Sequence, residues 1–132
     1  MRVVLDTNVL VSALLWRGAP YRCLLAIQAG LSDLVLSPPI LDELEGVLLK
    51  KFGHTPETAR EAIALLSSLA SLVDVPGLLR VVSDDPADDK FLETAQIGRA
   101  DYIISGDRHL LALGARSPIP VLTARAFLDR LV

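Results

Sequence analysis

The chain has 132 residues, a size that suits one domain with a full hydrophobic core and no need of disulfides or a structural metal. Hydrophobic residues make up 52% of it, yet no apolar stretch approaches the roughly 18 residues that a membrane-spanning helix needs. The formal net charge of −3 argues against a surface that holds nucleic acid by a general positive field.

The first strand is predicted over residues 3–5, Val-Val-Leu, a continuous apolar run of the kind expected where both faces of a sheet are covered. The opening Met1-Arg2-Val3-Val4-Leu5-Asp6 meets an acid too early for a secretory signal, so export is not expected. A helix-like stretch runs over 8–16, and its apolar part, 10–16, suits an interface as well as a core. Gly18-Ala19-Pro20 interrupts it, and a second helix over 21–29 ends at Gly30. Cys23, the only cysteine, excludes an intrachain disulfide. Beside Leu24 and Leu25 it reads as a small core residue, and a reducing cytoplasm is the expected home.

A second strand over 34–36 leads into Ser37-Pro38-Pro39, a helix opening with serine able to cap and proline tolerated in the first turn. That helix is predicted to run to about Phe52 and to stop at Gly53. Thr55-Pro56 opens another, and the apolar segment 62–73, broken by Ser67, Ser68 and Ser71, reads as a buried helix. Further strands are predicted over 80–82, 102–104 and 120–122, with a helix between the first two of these, capped by Asp85 with Pro86 at its first position. Strands alternating with helices predict an α/β fold: three layers, α/β/α, around a central, mainly parallel sheet of four to five strands. The expectation is a single domain over 1–132.

In such a sheet ligands bind beyond the carboxyl ends of the strands. Asp6 follows the first strand, the cluster Asp84, Asp85, Asp88 and Asp89 follows the third, and Asp107 follows the fourth. Each alone fits a helix cap; together they predict a shared acidic rim. Helical phase from Asp85 puts Asp88 with Phe91, Leu92 and Ala95 on the face turned to the sheet, and Asp89 with Glu93 and Gln96 toward solvent. Glu43 and Glu45 flank the apolar stripe of their helix on opposite edges, and periodicity does not choose between them; Asp42 falls on the polar side. Convergent carboxylates repel one another, and a hard cation removes that cost. Oxygen-only ligands suit Mg²⁺ or Mn²⁺, whereas no cysteine and histidine cluster suggests zinc. His54 and His109 read as surface residues. Arg17, Arg22, Lys50, Lys51, Arg108 and His109 are candidates for a basic rim around the acidic centre.

The stretches Asp6-Thr7-Asn8-Val9-Leu10, Ile40-Leu41-Asp42-Glu43-Leu44, Asp85-Pro86-Ala87-Asp88-Asp89-Lys90-Phe91-Leu92 and Ser105-Gly106-Asp107, in this order, resemble a PIN domain, most of all the toxin-like PIN proteins of bacterial and archaeal toxin–antitoxin systems. The resemblance implies a metal-dependent ribonuclease with Asp6, Glu43, Asp88 and Asp107 at the family's acidic positions, and so favours Glu43 over Glu45. Asp6, Asp88 and Asp107 would hold Mg²⁺ or Mn²⁺, and Asn8, Ser105 and Asp89 would support them. Ser105 departs from the threonine often found two residues before the last acid, but keeps the hydroxyl. An RNA substrate, a small antitoxin partner and a homodimer or higher oligomer are also implied.

Two other classes compete. A receiver or haloacid-dehalogenase-like phosphoryl-transfer domain also carries acids at strand ends, but the latter needs a second Asp where Asn8 stands. A non-catalytic PIN-like scaffold that binds RNA or protein would be expected to lose acids, and all four positions are filled. No Gly-rich phosphate loop points to a nucleotide cofactor.

Overall fold

The computed structural model describes residues 1–80 and 86–131. Five parallel strands form one sheet in the order β3-β2-β1-β4-β5: β1 (Arg2–Leu5), β2 (Asp33–Leu36), β3 (Ala70–Leu72), β4 (Tyr102–Ile104) and β5 (Val121–Leu122). Helices α1 (Thr7–Leu15), α2 (Ala19–Gln28), α3 (Pro38–Lys50), α4 (Pro56–Leu69), α5 (Asp89–Ile97), α6 (Arg108–Leu111) and α7 (Ala124–Arg130) complete the predicted α/β/α layering among the described residues. This order differs from the 2-1-3-4-5 order of receiver-like sheets. Among the described residues, no single helix is long and apolar enough to cross a membrane.

The apolar run after Arg2 makes β1 the central strand. Val3, Val4 and Leu5 are fully buried, with Leu34, Val35 and Leu36 of β2 on one side and Ile103 and Ile104 of β4 on the other. Burying each such side chain contributes roughly 1.5–3 kcal/mol, which fixes the register of the strand pair that carries the site. Cys23 is buried as expected, and burial pushes its thiol up to about 11. Of the segment 10–16, Leu10, Val11 and Ala13 join the core while Trp16 stays exposed. Gly30 and Gly53 hold the positive φ values, 79° and 64°, that end the turns after α2 and α3. At Gly98 the fit is tight instead, because an added Cβ would overlap Val35 Cγ1 where α5 closes on β2.

Three expectations need correction. The segment 62–73 is not one helix: α4 ends at Leu69 and Ala70, with φ −106° and ψ 155°, turns straight into β3. Nothing punctuates the switch, and a short apolar run has no period that separates helix from strand. The expected strand over 80–82 is not the third strand; Arg80 lies outside any strand, and Val81 and Val82 lie outside the described residues. Ser37 stands at the N-cap of α3 without capping it, since its buried hydroxyl shares a 2.7 Å hydrogen bond with Thr94 of α5. Thr55 does cap α4, accepting from the Thr58 N–H at 3.2 Å.

Candidate active site

The chain visits β1, β2 and β3 in one direction and then returns to place β4 on the far side of β1. The carboxyl ends of β1 and β4 therefore flank the point where strand order reverses, the place where open sheets leave a crevice. Asp6 leaves β1 there and Ser105 leaves β4 beside it, its backbone tied by the Asp6 N–H to Ile104 O bond of 3.1 Å. A polar cleft of about 50 Å³ opens at this point, lined by Asp6, Thr7, Asn8, Glu43, Asp88, Phe91 and Asp107. The four acids singled out from the sequence, scattered over about a hundred residues, thus share one cleft.

Asp6 and Asp107 are helix caps as well as cleft residues. Asp6 Oδ1 accepts from the Val9 N–H at 2.9 Å at the start of α1, and Asp107 Oδ1 accepts from the His109 N–H at 2.8 Å at the start of α6. Ser105 links them: its buried hydroxyl donates to Asp6 Oδ2 and accepts from the Asp107 N–H at 2.9 Å. Asp6 is 3% exposed. Burial raises its carboxyl above the ordinary value, the hydrogen bonds from Ser105 and Val9 pull it back, and the nearby charges of Asp107 and Glu43 raise it further.

Glu43 is anchored by two residues that the sequence did not single out. Thr7 donates its hydroxyl to Oε1, and Lys90 Nζ lies 2.6 Å from Oε2. Lys90 also donates to Ala87 O at 2.6 Å and lies 4.8 Å from the centre of the Phe91 ring. Both residues sit beside acids in the quoted motifs, Thr7 after Asp6 and Lys90 after Asp89. Asn8 lines the cleft and an adjoining groove with Ser12, Ser105 and Thr123. Glu45 is not among the lining residues, so the choice that periodicity left open falls to Glu43.

The cluster before α5 departs from expectation in one respect. Asp88 lines the cleft, but from a 3₁₀ turn, Pro86–Asp88, with the α-helix beginning at Asp89. Asp89 does not face solvent: it is 4% exposed and borders a second cavity with Pro39, Arg80, Lys90 and Glu93. The reason is the segment folded over that face, whose Gly77, Leu78 and Leu79 N–H groups all donate to the buried Glu93 carboxylate at 3.0, 2.9 and 3.3 Å. Asp84 and Asp85, and with them the expected Asp85 cap, lie outside the described residues. His109 is exposed as expected, and His54 is half-buried.

The donor set fits a hard divalent cation. The cleft offers only oxygen ligands, four carboxylates against one lysine ammonium, and room for a small ion with water. Among the described residues no group of three or more His, Cys, Asp or Glu side chains stands as a ready-made metal cage, and Glu43 is turned to Lys90. Carboxylates brought this close disfavour one another's charge, and a hard cation would offset that cost.

A search of curated protein sequences finds no match. Among solved structures, the fold is similar to VapBC2 from Rickettsia felis bound to a DNA fragment from its promoter, with 15% identity, a TM-score of 0.65, and 93% of this chain and 98% of that one covered. It is also similar to PAE2754 from Pyrobaculum aerophilum, with 17% identity, a TM-score of 0.64, and 99% and 89% covered. At these identities the likeness is one of fold. In sequence, the PIN domain family model matches residues 2–109, which take in every acid of the cleft. The chain belongs to the PIN domain family.

Proposed function

We propose that the chain is a metal-dependent ribonuclease that hydrolyses RNA phosphodiester bonds in the cytoplasm as the toxin of a toxin–antitoxin pair, the whole of 1–132 acting as one domain. The observation that carries this reading is the convergence of Asp6, Glu43, Asp88 and Asp107 on one cleft at the reversal point of the sheet. Asp6, Asp88 and Asp107 would hold Mg²⁺ or Mn²⁺. Bound there, the ion would polarise the scissile phosphate and lower the pKa of a water molecule.

The chain's own residues supply the rest. Ser105 fixes the angle of Asp6 and ties it to the Asp107 backbone, so two candidate ligands from different strands move as one unit. Thr7 and Lys90 hold Glu43 at the cleft edge, where its carboxylate would help bind the metal or orient water. Lys90, paired with Glu43, brings a positive charge to the cleft for an entering phosphate, and Asn8, exposed and lining the cleft, would hydrogen-bond the strand.

The expected result is cleavage of a mixed RNA panel with Mg²⁺ or Mn²⁺, stopped by excess chelator and restored by added Mn²⁺. Cleavage that persists in chelator would contradict the reading. For a non-catalytic scaffold, no cleavage would occur under any condition.

The VapBC2 structure is a complex captured on promoter DNA, and the shared fold supports a small antitoxin partner here; pairing of the chain with itself is proposed from the family resemblance. Size-exclusion chromatography of the chain, alone and co-expressed with the product of the adjacent gene, is expected to give a dimer or larger species and a heteromeric complex. A monomer in both runs would remove the partner proposal.

A further inference from the structure

The chain carries 16 acids, yet none falls between Asp6 and Asp33 or between Glu45 and Glu57. Both gaps hold cations, Arg17 and Arg22 in the first, Lys50 and Lys51 in the second. The fold brings the gaps together. Trp16, the C-cap residue of α1, meets Phe52, two residues past α3, edge to face, with ring centroids 6.0 Å apart and planes at 72°. Both rings stand open to solvent, Trp16 at 56% and Phe52 at 40% exposure. Arg17 lies 5.0 Å from the centre of the Tyr21 ring and donates to its hydroxyl at 3.2 Å, while Lys50 and Lys51, next to Phe52 in sequence, are exposed. The next acid along, Glu57, is engaged by Arg60 at 3.9 Å.

This patch is not the edge of the acidic cleft. Helix α1 starts at Asp6, so Trp16 lies ten residues further on, roughly 15 Å away at 1.5 Å per residue. Arg17, Lys50 and Lys51, suggested by the sequence as a rim for the acids, form a surface of their own.

We infer that Trp16, Phe52, Arg17, Lys50 and Lys51 form a second binding site, which takes single-stranded RNA. Exposed rings offer stacking faces to unpaired bases while flanking cations take the phosphates, the pairing that single-strand binding needs. A protein-docking surface is favoured less, because exposed lysines are depleted in such interfaces and here two of them directly precede Phe52. An acidic cleft also repels the polyanion it must cut, so an anchor a few nucleotides away offsets that repulsion. The choice of RNA over another polyanion rests on the ribonuclease reading.

Trp16 is the chain's one tryptophan, so its emission reports on this site alone. A short oligouridylate is titrated into the Asp6→Asn chain in chelator, where the strand stays intact, with Trp16 emission and the anisotropy of a labelled strand read together. Saturable quenching is expected, with log K falling against log salt at a slope of about −2 for three phosphates. Changing Lys50 and Lys51 to alanine together should flatten that slope to about −0.7. Trp16→Ala should weaken binding about 5- to 150-fold by anisotropy. Strand binding without any change in Trp16 emission, or affinities unmoved in both variants, would overturn the site, as would equal quenching by polyglutamate, which would mark a surface for acidic protein segments. Quenching without cleavage by the unmodified chain in Mn²⁺ would sink the ribonuclease reading and keep the site; cleavage without quenching would do the reverse.

Discussion

Asp6→Asn is expected to lower RNA cleavage more than 100-fold, beyond the roughly 10- to 100-fold that loss of a supporting partner costs, because it removes a charge from the centre of the cleft. The same change should stabilise the metal-free fold. Asp6 is almost fully buried and its carboxyl is raised above the ordinary 3.8, first by desolvation, so its ionised form opposes folding. The sign follows: the penalty is absent below the unfolded value near 3.8 and complete once pH exceeds the raised folded value. Asparagine keeps an acceptor for the Val9 N–H without the charge. At neutral pH the variant should gain roughly 0.5–2 kcal/mol, several degrees in Tm, and the gain should vanish below the ordinary carboxylate range. Thermal melts in chelator at acid and neutral pH check it. An unchanged cleavage rate would take Asp6 out of the chemistry, and a lower Tm at neutral pH would mean the carboxylate is a net stabiliser.

Ser105→Ala should act in the opposite direction on stability. It leaves the buried Asp6 Oδ2 without its donor and the half-buried Asp107 N–H without its acceptor. Groups stranded this way cost about 1–3 kcal/mol. The Ser105 bond also lowers the Asp6 carboxyl, so its loss raises that carboxyl further. The acid limb of the pH–rate profile is therefore expected to move to higher pH, with cleavage reduced roughly 10- to 100-fold at neutral pH. Ser105→Thr keeps the hydroxyl and should restore the profile. A merely structural serine would lower Tm and leave the pH limb where it was.

Much of this arrangement was legible because charge and burial conflict so openly in the sequence. An acid directly after Val3-Val4-Leu5, or just past Tyr102-Ile103-Ile104, has to lie at a strand end, and parallel strands put those ends on one rim. Capping and ligation were rival explanations for Asp6 and Asp107, and the structure has them cap α1 and α6 while lining the cleft. What stayed hidden depends on contacts distant in sequence. Asp89 looked solvent-facing because its helix face is polar, but Glu93 on that face gathers three backbone N–H groups from residues 77–79 and so roofs it over. The third strand was missed because Leu69 passes into Ala70 with no glycine, proline or change of polarity, and an edge strand with Ser71 and Leu72 exposed has no apolar signature. Thr7 and Lys90 gave no signal of their own, since a hydroxyl after an N-cap and a lysine in a first turn are common on any helix.

As ligands of the proposed cation, Asp6, Asp88 and Asp107 would take up a divalent ion in the cleft they line together. Electron paramagnetic resonance of Mn²⁺ titrated into the metal-free chain tests it without any substrate. Saturable loss of the free Mn²⁺ signal is expected in the unmodified chain, and a sharply weakened loss in Asp6→Asn. Equal Mn²⁺ uptake by both chains, or none by either, would contradict it.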